Sequence, residues 1–169
     1  GYPINITFLI FFLVILGDVL LFLSKPIPLF IVIVDQLCKS FIFSKLFIEM
    51  KIVQINFFLN LIPVWNNGIS FGMFNDSGQW GRYFFTAFGL FFGFLIPIIT
   101  KTWSKLERIG AGFVAGGAIG NALDRIIYGK VIDFIDFHFK GVHFPTFNLA
   151  DTFITIGVIL ILISSYIKR

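Results

Sequence analysis

Apolar residues run almost unbroken through four stretches of this chain. Residues 83–100, YFFTAFGLFFGFLIPIIT, hold no charge and would extend about 27 Å as a helix, close to the hydrocarbon thickness of a bilayer. Pro97 falls near the end of that stretch, where a helix tolerates a break. Residues 109–128 form a second candidate span, rich in glycine and alanine, beyond the short basic connection KTWSKLER. Residues 147–167 form another, with Asp151 near its start and Lys168 and Arg169 closing it. Residues 26–43 form the last, with Asp35 and Lys39 inside it.

Two regions do not fit that pattern. Residues 45–82 are mixed in polarity, broken by Pro63, Asn66, Asn67 and Gly68, and IVQINFFLNLIPVW reads as strand-like. This region predicts an extramembrane cap on one bilayer face. Residues 1–25 are apolar and admit three readings: a fifth span, an interfacial helix or a leader. No Lys or Arg precedes the apolar run, which argues against a cleaved secretory signal.

Composition points to the same solvent. With 57% hydrophobic and only 13% charged residues and a mean hydropathy of +0.94, the chain lacks the polar surface of a water-soluble globule. The formal charge of +4 suits anionic lipid headgroups. No basic cluster or RNA-type aromatic motif accompanies it, so no nucleic-acid partner is expected. The single cysteine, Cys38, excludes an intrachain disulfide and an all-cysteine metal cage. His138 and His143 are five residues apart, a weak spacing for zinc, so neither metal nor cofactor is expected. Lys101, Lys105, Arg108 and Lys168 favour one side as cytoplasmic, but Lys45, Lys51, Arg82, Lys130 and Lys140 blunt the bias.

Ionisable groups within apolar spans are costly and mark sites of function. Asp35 and Lys39 are four apart, so they share a helical face and can pair. Asn121 can sit above both Asp124 and Arg125 on another face. Arg125 offers a fixed fork of donors for a carbonyl or carboxylate, and structural and substrate-orienting roles stand level there. Gly112, Gly116 and Gly120 recur every four residues, a smooth stripe better suited to packing within the chain than to dimerisation. Asp133 follows the second of these spans and Asp151 opens the next, so the topology brings both to one membrane face. Two carboxyl groups at the edge of a dry cavity cannot both ionise freely, which leaves one acid and one base near neutral pH. Two separate interfacial aspartates, with Asp151 capping its helix, account for the spacing equally well. Asp136 and Asp76 read as solvated loop acids. A small transporter built on a proton relay is the alternative class, but no internal repeat supports it.

Four ordered blocks carry a resemblance to a known family. They are DQLCK with Asp35, Gln36 and Lys39; NNGISF with Asn66, Gly68 and Phe71; GGAIGNALDRIIYGKVIDF with Gly120, Asn121, Asp124, Arg125, Gly129 and Asp133; and FPTFNLAD with Phe147, Asn148, Ala150 and Asp151. From about residue 26 to the C-terminal end the chain resembles the lipoprotein signal peptidases (signal peptidase II), bacterial intramembrane aspartic proteases. The resemblance implies a membrane α-helical fold: a four-transmembrane-helix bundle with a small extracytoplasmic β-rich cradle. Residues 26–169 would form the peptidase domain, with residues 1–25 as a possible extra apolar helix. It implies Asp133 and Asp151 as catalytic residues, and Asn66, Gly68, Asn121, Arg125 and Asn148 as substrate-binding ones. Asp35, Lys39 and Asp124 would be structural. The implied partners are lipid-modified prolipoprotein substrates and membrane lipids. The chain is expected to work as a monomer in the bacterial inner membrane, its site at the extracytoplasmic face. Trp65, where many relatives have arginine, and Ser70, in place of a common alanine, depart from the pattern.

Overall fold

The computed structural model describes residues 6–23, 25–68 and 78–168, so Gly1, Ser70, Phe71, Asp76 and Arg169 lie outside the described residues. Among the described residues five α-helices appear in chain order: α1 (Ile6–Leu23), α2 (Pro26–Ile42), α3 (Gly78–Ile99), α4 (Lys105–Tyr128) and α5 (Leu149–Ile167). Pro26 at the first helical turn fixes the start of α2. A π-helical turn, Phe43–Phe47, carries α2 onward. Ser104 and Glu107 close a capping box at the start of α4, and Gly129 at φ 76° ends that helix. Asn148 and Asp151 form a second capping box at α5.

Among the described residues three helical segments are long and apolar enough to cross a membrane: Pro26–Phe47, Gln79–Ile99 and Leu149–Ile167. The second of the sequence-expected spans is not among them. α4 carries Asp124, Arg125 and five glycines, and it packs against α2, α3 and α5. A helix sheathed by protein on three sides need not be apolar. The outer helices instead turn exposed apolar rows outward, such as Phe30, Ile33, Leu37 and Phe41 on α2 and Phe84, Phe88 and Phe91 on α3. Such rows suit lipid contact.

The glycines of α4 explain how the helices approach so closely. A Cβ on Gly116 would lie 2.6 Å from Ile31 Cβ and 2.8 Å from the Pro28 carbonyl oxygen. Gly112 and Gly120 meet Ile27 and Asp35 of the same helix, so the stripe packs against α2 within the chain. Gly110 and Gly117 do the same service toward α5. Gly116→Ala is therefore expected to cost about 1–3 kcal/mol, read as a fall in thermal midpoint in detergent. Gly17→Ala, with nothing within 4 Å of its Cβ, is the matched control and should leave the midpoint unchanged.

Among the described residues four antiparallel strands follow the order β1 (Val53–Gln54), β2 (Leu59–Asn66), β3 (Val131–Phe139) and β4 (Val142–His143). The strand-like reading of residues 52–65 is met by β1 and β2. The connection after α4 is the long strand β3. Its pairing with β2 sets Asn60 opposite Asp136 and Val64 opposite Asp133, with an irregularity between Leu61 and Val64 where Pro63 sits. The sheet rests on the π-helical turn: Leu46 and Phe47 pack with Ile132 and Phe134 in one buried cluster. Trp65 closes it edge-on to Phe47 at 4.9 Å between ring centroids.

Candidate active site

The site forms where the ends of α2 and α4, the start of α5 and strand β3 converge. At its base is a buried ion cluster. Lys39 Nζ donates to Asp35 Oδ2 at 2.9 Å, Asp124 Oδ2 at 3.0 Å and Asn121 Oδ1 at 2.9 Å. Those three contacts use all three ammonium protons. The pair expected from i,i+4 spacing is thus a triad spanning two helices. Asp35 and Asp124 are fully buried, and each also accepts from a backbone amide. Asp35 Oδ1 accepts from the Ala150 amide at 3.0 Å, which pins the first turn of α5. Asp124 Oδ2 also accepts from the Ile132 amide at 3.0 Å, which pins β3. Gln36 Nε2 ties Asp124 Oδ1 (3.0 Å) and the Gly120 carbonyl (3.1 Å).

Above that cluster stand two asparagines and two aspartates. Asn121 lends its Oδ1 to Lys39 and donates from Nδ2 to Asp151 Oδ1 at 2.8 Å. Asn148 is fully buried. Its Nδ2 donates to Asp133 Oδ1 at 2.7 Å and to Asn121 Oδ1 at 3.0 Å, while its backbone amide donates to Asp151 Oδ2 at 3.2 Å. One residue therefore holds both carboxyl groups. The α5 cap and the polar centre share atoms, so Asp151 caps α5 while Asn148 ties it to Asp133. Asp133 is 1% exposed and accepts at Oδ2 from Asn66 Nδ2 at 2.8 Å; Asp151 is half-buried. Burial raises the Asp133 pKa to about 6; the Asn66 bond opposes this and the neighbouring Asp151 charge adds to it. Asn148 thus links two carboxyl groups from different elements, and that of Asp133 is kept partly protonated near neutral pH.

Gly68, at φ 75°, donates its amide to Asn66 Oδ1 at 2.7 Å. A side chain there would press on Phe85 and the Arg125 guanidinium. Arg125 lies over the Phe85 ring at 5.3 Å, and its buried Nε has no hydrogen-bond partner among the described residues. The structure thus gathers all ten sequence-singled residues: Asp35, Lys39, Asn66, Gly68, Asn121, Asp124, Arg125, Asp133, Asn148 and Asp151.

Three contributors escaped sequence reasoning. Gln36 lay inside a quoted motif but was given no role. Arg82, assigned to the cap, belongs to α3 and donates to the Arg125 and Ile126 carbonyls at 2.9 Å each, a cation at the C-terminal end of α4. Asp136 is not a solvated loop acid. It is 2% exposed and accepts from Asn60 Nδ2 at 3.0 Å, with His143 Nδ1 at 2.7 Å. Burial pushes its pKa up, but the His143 and Asn60 bonds outweigh that and hold it below the usual carboxylate value. The His138 and His143 rings stack at 5.1 Å, and among the described residues no group of three or more His, Cys, Asp or Glu side chains could hold a metal ion.

Apolar helices around a polar, acid-bearing centre define a membrane protein with an enzyme-like site. Residues 27–167 match the sequence model of the family described as Signal peptidase (SPase) II. The lipoprotein signal peptidase of Burkholderia multivorans is 41% identical over 152 residues, covering 83% of this chain and 91% of that one. That of Cupriavidus pinatubonensis is 37% identical over 149 residues, covering 87% and 84%. A solved bacterial membrane enzyme, determined by the in meso method at 1.9 Å resolution, superposes with a TM-score of 0.69 at 32% identity, covering 82% of this chain and 88% of that one. The chain belongs to the signal peptidase II family.

Proposed function

We propose that this chain removes the signal peptide from diacylglyceryl-modified prolipoproteins, cutting just before the lipidated cysteine, with Asp133 and Asp151 as the catalytic pair. The observation that carries the reading is the bridge by Asn148, which donates to Asp133 from its side chain and to Asp151 from its backbone. One carboxylate takes a proton from water while the other, protonated, hydrogen-bonds the scissile carbonyl and stabilises the charge that develops on it. Asn66, Asn121 and Asn148 fix the carboxyl oxygens. Arg125 offers donors to the substrate backbone, and Gly68, without a side chain, lets that backbone approach. Asp35, Lys39 and Asp124 hold the elements together beneath.

In this reading residues 26–169 are the peptidase domain, with α2, α3, α4 and α5 as four spans and α1 as an additional apolar helix. Strands β1 and β2 of the cap and strand β3 form a cradle on the extracytoplasmic face of the inner membrane. A lipid-anchored substrate reaches such a site by lateral diffusion, and a single chain suffices for it.

The proposal is tested by cleavage of a lipid-modified prolipoprotein by the purified chain across pH. Asp133 holds its proton below about pH 6 and loses it above. In the free enzyme kcat/KM is therefore expected to fall as pH rises through that value. The kcat limb should lie higher, because bound substrate further desolvates the acid. A kcat/KM flat from about pH 5 to 9 would contradict the assignment.

A further inference from the structure

At the other end of the helices, the starts of α2 and α4 and the end of α3 enclose a cavity of about 430 Å³. Lys25, Lys101, Lys105 and Arg108 line it together with apolar walls that include Pro28 and Pro97. From Lys105 to Asn121 the α4 axis runs about 24 Å, so this cavity is remote from the acid pair. Among the described residues none of the four cations forms an ion pair. The nearby acid, Glu107, is already held by Lys168 Nζ at 2.7 Å and by the Ser104 amide at 2.9 Å. Helix α2 also begins here without a side-chain cap, which adds the positive end of its dipole. Lys101, Lys105 and Arg108 are exposed and Lys25 is half-buried, so their charged ends can close on a ligand arriving from the membrane surface.

A cavity with four uncompensated cations and an apolar wall, set among lipid-facing helices, matches an amphiphile with an anionic head. We infer that it binds the headgroup of an anionic phospholipid. The phosphate sits among the four cations, and the glycerol and first acyl carbons lie against the prolines. Two or more donors converging on one phosphate give this pocket selectivity that a merely basic surface lacks.

The test is native mass spectrometry of the full chain in detergent, titrated with phosphatidylglycerol or phosphatidylcholine. Phosphatidylglycerol is expected to bind at least about tenfold more tightly. Lys101→Gln, Lys105→Gln and Arg108→Gln should each weaken it about fivefold, and the triple variant more. Lys51→Gln with Lys140→Gln, exposed cations outside the cavity, should leave it unchanged. Equal weakening by that control pair would show general surface attraction and overturn the inference. Displacement of the lipid by millimolar inorganic phosphate would mark a soluble-phosphate site and overturn it too. Should the triple variant fail to fold, the three single variants decide, and unchanged binding in all of them overturns the proposal.

Discussion

Asp133→Asn and Asp151→Asn are each expected to lower prolipoprotein cleavage by about 100- to 10,000-fold while the chain stays folded. Asparagine keeps the size and planarity of aspartate but cannot exchange a proton near neutral pH. At Asp133 both oxygens accept from asparagine amides, at 2.8 and 2.7 Å. An amide there keeps one of those bonds and turns a donor toward the other, a cost of about 1–3 kcal/mol. At Asp151 the Asn121 bond or the Asn148 cap is lost instead. Either change is small beside a loss of the proton relay. Cleavage is read by loss of the signal peptide on a gel, with the thermal midpoint as the control for folding. Near-normal cleavage in either folded variant would remove that residue from the pair.

Lys39→Met is expected to be the most destabilising single change, at about 3–5 kcal/mol. The ammonium is 2% exposed, and it faces two carboxylates that are buried with it. Methionine fills most of the volume but leaves Asp35 and Asp124 close together with no cation between them. It also removes one of the two donors to Asn121 Oδ1, leaving Asn148 alone to orient the side chain that holds Asp151. Lys39→Arg should not rescue it, because a planar fork cannot reach three acceptors arranged around one point. Neutralising the partners as well, with Asp35→Asn and Asp124→Asn, should recover part of the stability, since a buried charge without a partner is the main penalty. Thermal unfolding of Lys39→Met, Asp35→Asn, Asp124→Asn and the triple variant measures the coupling directly. An additive series, with no recovery in the triple variant, would mean the cluster is not one unit.

How much of this was written in the sequence depends on range. Local features were legible: the Asp35–Lys39 pair follows from helical spacing, and Gly68 from its turn. The glycine stripe on α4 followed from its four-residue repeat. The apolar stretches gave α2, α3 and α5 to within a few residues, although α3 begins at Gly78 rather than at 83. Strand β3 was not legible. Its residues IDFIDF repeat every three rather than alternating, because the first four residues of the strand are buried on both faces and period two has nothing to report. The burial of Asp136 was hidden for the same reason. Its partners, Asn60 and His143, come from neighbouring strands, and no local pattern encodes that register. Arg82 was masked by composition: a basic residue after a polar segment reads as loop, and only the fold shows it capping α4. The tie between Asp133 and Asp151 runs through Asn148, whose double role no spacing discloses.

The account rests on Asp133 and Asp151 acting on one reacting centre. The most direct measurement is a crystal structure with a diacylglyceryl-cysteine peptide whose scissile amide is replaced by a hydroxyl-bearing tetrahedral mimic. The hydroxyl is expected within about 3 Å of a carboxyl oxygen from each aspartate. A hydroxyl bound by one aspartate alone, or seated away from both, would contradict it.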